Sequence, residues 1–238
     1  MKTAASALAG ARRRPRRGPG RPPGPSRTAA TRASLVEAAS RQYAAGGRGG
    51  ISFAALAAEA GLRKATVFHY FPTKDALVDA VFAELGARLA RRAPAWFDSP
   101  PPSYAARLER VVAGLVDFYG DDPVNARLVC QGLLGVEPWV SAPAGTGEGS
   151  LHFADFVRRF HDFVAAGMAA GALHAGDPLA TVMSIGGVVL FECMIPPEIR
   201  GRYGRNASRA ALSARKRAVL AFVRRAVVRA PDRKEDER

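Results

Sequence analysis

Residues 51–77 read ISFAALAAEAGLRKATVFHYFPTKDAL. The spacing predicts two short helices joined by a tight turn, followed by the capped start of a third. Ser52 is suited to an N-cap, because its hydroxyl can accept from an orphan N–H of the first turn. Phe53, Leu56, Ala57 and Ala60 follow at helical spacing. Gly61 supplies the left-handed residue that ends that helix. Arg63 to Phe71 form the second helix, with Val67 and Phe71 four apart on its inner face, and Pro72 stops it. Thr73 caps the next helix, and Asp75 sits in its first turn, where the helix dipole favours a carboxylate. Helix, glycine turn, helix is the layout in which the second helix enters the DNA major groove.

Working outward, a preceding helix is expected from Thr28 or Thr31 to Ala45, with Leu35, Ala38, Ala39 and Tyr43 inward. Gly46, Gly47, Gly49 and Gly50 then form a loop. The segment 31–77 resembles the N-terminal domain of tetracycline-repressor (TetR) family regulators. The resemblance rests on Tyr43 and Gly47, the Leu56-Ala57 pair, the turn Ala60-Gly61-Leu62, the run Thr66, Phe68, Phe71, and the closing Thr73, Lys74, Asp75, Leu77. Three positions depart from the pattern. Ala65 replaces a glycine, Phe68 replaces a tyrosine and so lacks a hydroxyl for phosphate, and Arg48 stands where the family has an apolar residue. A looser loop is expected around Arg48.

The chain of 238 residues is 48% hydrophobic with mean hydropathy near zero, which suits a globular protein with a real core. The longest charge-free helical stretch, Pro178 to Phe191, is too short for a bilayer, which needs about 20 apolar residues. The N-terminal MKTAASALAGA has its arginines after its apolar part, the wrong order for a signal peptide, so a cytoplasmic protein without a membrane span is expected. Cys130 and Cys193 fit no metal spacing. They read as buried thiols, with a redox switch as the minor alternative.

The net charge of +14 is unevenly spread. Residues 1–27 carry eight basic and no acidic side chains, whereas 81–199 carry eight basic and thirteen acidic. A GC-rich genome would account for 30 Arg against 5 Lys, but not for one sign of charge over the first 27 residues. A basic end is the footprint expected for phosphate contact. Residues 1–27 read as a disordered Arg/Pro/Gly arm. Its Gly20-Arg21-Pro22 resembles the core of an AT-hook, which lays arginine in a narrow minor groove. Pro19 stands where that motif has an arginine, and a plain basic tail is the equal alternative.

Beyond the first three helices, the pattern stays helical. Helices are expected over Lys74 to about Arg92, Ser103 to Tyr119, Pro123 to Leu134, Leu151 to Ala170, Pro178 to Met194, and Ser208 or Ala210 to Val228. Glu137 to Gly149 is a Pro/Gly loop. The helix from Pro178 is apolar nearly all round, so burial is expected, with Gly186 and Gly187 serving a close helix approach. No strand and no repeat is evident. The reading is therefore all-α: an arm (1–27), a three-helix helix-turn-helix domain (28–82), a larger helical regulatory and dimerisation domain (83–230), and a charged tail (231–238). The family resemblance implies an effector cavity among the middle helices and a dimer made by the last two long ones.

Candidate DNA-binding residues are Ser52, Arg63, Lys64, Ala65, Thr66, Phe68, His69, Tyr70 and Lys74, with Arg21 from the arm. Lys64 has the chemistry to reach guanine acceptors, and Thr66 to touch a thymine methyl or a phosphate. Tyr70 and Lys74 suit phosphates, Lys74 at a helix N-terminus. Helix 2 offers no cation after Ser52, so arm and head are expected to bind DNA together. Candidate effector-pocket residues are Phe118, Trp139, His152, Phe156 and Met183, with His161, Asn125, Gln131 and Glu192 as further polar candidates. The four histidines give no metal pair, and no nucleophile or phosphate-loop motif occurs, so no enzyme, cofactor or metal is expected. The expected function is a homodimeric DNA-binding repressor released from a palindromic operator by a small, largely apolar effector. The alternative is an architectural or activating DNA-binding protein dominated by its arm.

Overall fold

The computed structural model describes residues 25–98, 103–135, 148–195, 197–202 and 209–229. The basic arm with Arg21, most of the Pro/Gly loop with Trp139, and the charged tail lie outside the described residues, as do the side chains of His152 and Glu192.

α1 (Pro25–Gly50) opens with proline at its first position, where a missing N–H costs nothing. It therefore starts three residues before Thr28. Its regular turns end at Gly46 and Gly47, as the glycine cluster predicted, and Gly47 has φ +59°, a conformation glycine adopts without strain. α2 (Phe53–Glu59) and α3 (Lys64–Tyr70) are joined through Gly61 at φ +63°. The Leu62 N–H closes the turn on the Ala57 carbonyl at 2.8 Å. Leu35, Ala38, Ala39, Tyr43, Leu56, Val67, Phe71 and Leu77 are all buried between these helices and the start of α4 (Lys74–Phe97). Tyr43 meets Phe82 of α4 edge-on, with ring centroids 5.2 Å apart.

α4 runs past the expected end at Arg92 to Phe97, straight through Pro94. Proline in a helix interior costs about 3 kcal/mol. The next turn offsets that by burying Ala93, Trp96 and Phe97, where each aromatic ring contributes about 1.5–3 kcal/mol. Their neighbours come from α7 (Glu148–Ala169): Phe97 lies edge-on to Phe156, Phe160 and Phe163 at 5.9–6.1 Å. α4 is thus at once the third wall of the head and the central strut of the rest.

α5 (Tyr104–Asp121), capped by Ser103, and α6 (Pro123–Gly135) complete the layer around α4, and α6 packs back onto α1. α8 (Pro178–Met194) is capped by Asp177, whose carboxylate accepts from the Leu179 and Ala180 N–H groups. A short α9 (Pro197–Arg202), which the sequence did not suggest, precedes α10 (Arg209–Val227). The chain after α7 meets the end of α10 in one antiparallel bridge, Leu173 to Val228. Among the described residues this is the only strand-like pairing. No described helix is long and apolar enough to cross a membrane.

The expectation that α8 is buried all round is corrected. Val182, Ile185, Val189 and Cys193 face the core, while Leu179, Met183, Phe191 and Met194 are 44–69% exposed. A Cβ placed on Gly186 or Gly187 would meet no described atom within 4 Å, so none of the described helices approaches them closely. On α10, Leu212 and Phe222 are likewise exposed.

Candidate nucleic-acid interface

α3 is held from one side only. Val67 and Phe71 are almost fully buried, and the Arg32 guanidinium covers the Phe71 ring at 5.1 Å. The helix period then fixes the opposite face. Arg63, Lys64, Ala65, Phe68 and His69 are exposed, and Thr66 and Tyr70 are half-buried at its margins. His69 and Tyr70 touch edge-on at 5.8 Å. Every recognition-helix candidate is thus at least partly exposed, with Val67 and Phe71 turned inward.

Phe68 is 44% exposed, the largest apolar group on that face. Its ring rests on Phe53 of α2, with centroids 4.7 Å apart and planes tilted by 54°. The Lys64 ammonium lies 5.7 Å from its centroid, one helical turn earlier.

α2 is seated by polar ties to α1. The Ser52 N–H donates to Gln42 Oε1 at 2.9 Å, while Ser52 Oγ accepts the Ala55 N–H at 3.3 Å. Arg41 bridges Glu37 at 3.2 Å and Glu59 at 2.5 Å. The outward residues Ala54, Ala55 and Ala58 are exposed, so α2 presents little beyond its backbone.

Lys74 sits at the start of α4, but its ammonium donates to the Arg48 carbonyl at 3.2 Å. Arg48 is ion-paired with Asp75. The expectation of a loose loop at Arg48 is therefore corrected, because the residue that broke the apolar pattern found charged partners on α4. The Gln131 amide oxygen of α6 also faces Gly47, 3.3 Å from where a Cβ would stand.

The described effector candidates have different surroundings. Phe118 is buried against Tyr119 and beneath the Arg92 guanidinium, at 5.1 and 5.3 Å. Phe156 is buried among Trp96, Phe97 and Phe160. Met183 is half-exposed on the outer side of α8. Asn125 is buried, its amide donating to the Phe118 carbonyl at 3.2 Å. His161 Nδ1 lies 3.1 Å from Asp162. Both cysteines are buried thiols outside any disulfide, and the Arg215 guanidinium donates to Cys193 Sγ at 2.7 Å. Burial, reinforced by Cys193, pushes the Cys130 thiol above its ordinary pKa. Burial likewise pushes the Tyr119 phenol well up, with smaller contributions from Cys193 and Cys130. Among the described residues, no three His, Cys, Asp or Glu side chains group so as to hold a metal ion.

The sequence reading missed Arg88. Its guanidinium bonds Glu37 of α1 at 2.7 Å and Glu84 of α4 at 3.1 Å, and approaches Asp122 at 3.7 Å. The Glu84–Arg88 spacing of four was a visible signal; the link to Glu37, 51 residues away, was not.

This head on an all-helical body defines a helix-turn-helix transcriptional regulator. Residues 35–81 match the family described as "Bacterial regulatory proteins, tetR family". The fold is similar to that of the ketosteroid transcriptional regulator KstR2 of Mycobacterium tuberculosis (TM-score 0.65, 16% identity, covering 84% of this chain and 95% of that one). It is also similar to a transcriptional regulator from Streptomyces coelicolor (TM-score 0.62, 22% identity, 82% and 97% covered). A third similar structure is AibR in complex with isovaleryl coenzyme A and operator DNA (TM-score 0.61, 15% identity, 81% and 97% covered). Comparison with curated protein sequences gave no match.

Proposed function

We propose that the protein is a homodimeric, cytoplasmic repressor that binds a near-palindromic operator and is released by a small, largely apolar effector. The observation that carries the DNA reading is the outer face of α3, where Arg63, Lys64 and His69 stand exposed on a helix anchored by Val67 and Phe71. Polar and cationic groups on that face are what major-groove reading requires. Residues 28–82 would form the DNA-binding domain and 83–230 the regulatory and dimerisation domain, with Ser52, Thr66, Tyr70 and Lys74 placing the backbone. Lys74 then serves phosphate through the loop it anchors as much as directly, since its ammonium is engaged by the Arg48 carbonyl. Ala65 is small enough to let a base edge approach, and Arg21 of the arm adds minor-groove or plain electrostatic contact.

Dimerisation is supported by the apolar row Leu179, Met183 and Met194 on α8, with Phe191 beside it and Phe222 on α10. Single exposed hydrophobics need no explanation, but a row at helical spacing does. Two-fold pairing through it would set two recognition helices about one DNA turn apart, or a multiple of it. For the effector, AibR is a protein of similar fold captured with both an acyl coenzyme A and operator DNA. Phe118 and Phe156 belong to the buried aromatics of the body, the apolar character an effector site would draw on, with Trp139, His152 and Met183 as its further candidates.

The test is selection of bound fragments from a random DNA pool by the purified full chain, followed by sedimentation of protein alone and with DNA. Enrichment of an inverted repeat bound by a dimer supports the reading. Tight binding without sequence preference would favour the architectural alternative.

A further inference from the structure

The exposed part of α3 holds one large group that cation and hydrogen-bond readout leaves unexplained. Phe68 keeps 44% of its surface in water, between Lys64 and His69 in sequence and with only alanine as its other exposed apolar neighbour on the helix. It is not loosely placed. Phe53 supports one side of the ring at 4.7 Å and Lys64 flanks it at 5.7 Å. Phe53 is itself buried in the head, so the platform under Phe68 belongs to the core and not to a mobile side chain. The neighbouring surface of α2 is only Ala54, Ala55 and Ala58, which lets the ring stand proud of its surroundings. A phenylalanine has no donor or acceptor for phosphate or for a base edge. The one apolar feature of the major groove is the 5-methyl group of thymine.

We infer that Phe68 reads a thymine methyl in the operator, in a base pair adjacent to a guanine read by Lys64. The inference rests on the DNA-binding reading above. Lys64 and Phe68 are one helical turn apart, and their contacting groups are 5.7 Å apart, which spans one to two base-pair rises. The ammonium faces guanine O6 and N7 while the ring covers the neighbouring methyl. In free protein the cation lies against the ring; on DNA both exchange water for base edges. A thymine methyl covered in this way leaves water much as a buried methylene does, which corresponds to about fourfold in affinity per half-site.

The test begins with the sequence enriched by the full chain. Each thymine of that sequence is replaced in turn by deoxyuridine, which keeps the pairing and the O4 acceptor and removes only the methyl. Binding is measured by fluorescence anisotropy for the wild type, Phe68→Ala and Phe68→Leu. The wild type should lose about fourfold at one thymine per half-site, next to a guanine. Phe68→Ala should bind thymine and deoxyuridine equally at that position. Phe68→Leu keeps an apolar side chain against Phe53, and serves if the alanine variant melts early. If every deoxyuridine substitution leaves wild-type affinity unchanged, the inference fails while the DNA-binding reading stands. If one position is sensitive but equally so in the Phe68 variants, another residue reads the methyl, and the inference again fails. If no sequence is enriched, both fall.

Discussion

The Arg88 guanidinium on α4 donates to the Glu37 carboxylate on α1 at 2.7 Å, and its other nitrogens reach Glu84 and Asp122. Asp122 also accepts the Val124 N–H at the start of α6. One side chain therefore joins the first helix of the head to the strut and to the start of α6, the helix that packs on α1.

Because Arg88 is only about a quarter exposed, its pair with Glu37 should lie at the upper end for partly solvated ion pairs, about 1 kcal/mol. A double-mutant cycle of Arg88→Met and Glu37→Gln in urea should return a coupling of that size. A coupling near zero would mean that the Arg88–Glu37 pair adds nothing to stability.

Gly114 of α5 is the place where the Trp96 indole crosses. A Cβ there would stand 2.3 Å from the ring. Gly114→Ala should force the indole aside and cost about 1–3 kcal/mol, despite the better helix propensity of alanine. Thermal unfolding and a shift in tryptophan emission report it. An unchanged melting temperature would show that the ring relocates freely.

The Gly187 position is open among the described residues, with none of their atoms within 4 Å of a Cβ. Gly187→Leu should therefore leave the folded protomer intact and weaken only the proposed dimer. Sedimentation velocity should show more monomer at equal helicity by circular dichroism. Loss of helicity with the dimer would contradict the open position.

On the recognition surface, Lys64→Ala and His69→Ala should lower the ratio of operator to random-DNA affinity, by about 1–3 kcal/mol for a lost base contact. Lys74→Ala removes the tie to the Arg48 carbonyl as well as a charge. It should weaken binding to both DNAs alike. Anisotropy titrations against both DNAs check this, and an unchanged ratio in the first two variants would remove α3 from specificity.

Removal of residues 1–24 leaves α1 whole from Pro25 and deletes seven positive charges, Lys2, Arg12, Arg13, Arg14, Arg16, Arg17 and Arg21. Melting temperature should be unchanged, while the slope of log affinity against log salt should fall by roughly 0.9 per lost phosphate contact. If Arg21 reads the minor groove, a preference for A/T-rich flanks should vanish with the arm. An unchanged slope would mean that the arm does not touch DNA.

The head was legible because its signals are local. Ser52 and Thr73 each accept from the backbone N–H expected of a cap. Gly61 takes the left-handed turn. Val67, Phe71, Leu35 and Tyr43 are buried as their spacing required. What the sequence concealed depends on distant partners. Arg48 looked like a defect until Asp75 and Lys74 came beside its loop. Pro94 marked an end that Trp96 and Phe97 overrode by reaching α7. α8 is apolar on both sides, and composition alone does not tell a side covered by this chain from one left open. Among the site candidates, the α3 residues are close together because they are consecutive on one short helix whose Val67 alone is fully buried. Phe118 and Phe156 are buried and Met183 is half-exposed; aromatic content marks a core as readily as a cavity.

The seat of α1 also has an order in time. The residues that bury it from α2, α3 and the start of α4 all follow within 47 positions of Leu35. α6, which packs against it from the other side, ends at Gly135. At synthesis rates of about 5–20 residues per second, the gap between residues 81 and 135 is roughly 3–11 seconds. During that interval the nascent head can close on itself while the flank of α1 destined for α6 stays wet. In every newly made chain the residues of α2, α3 and the start of α4 are therefore complete before the helix that flanks α1 on its other side.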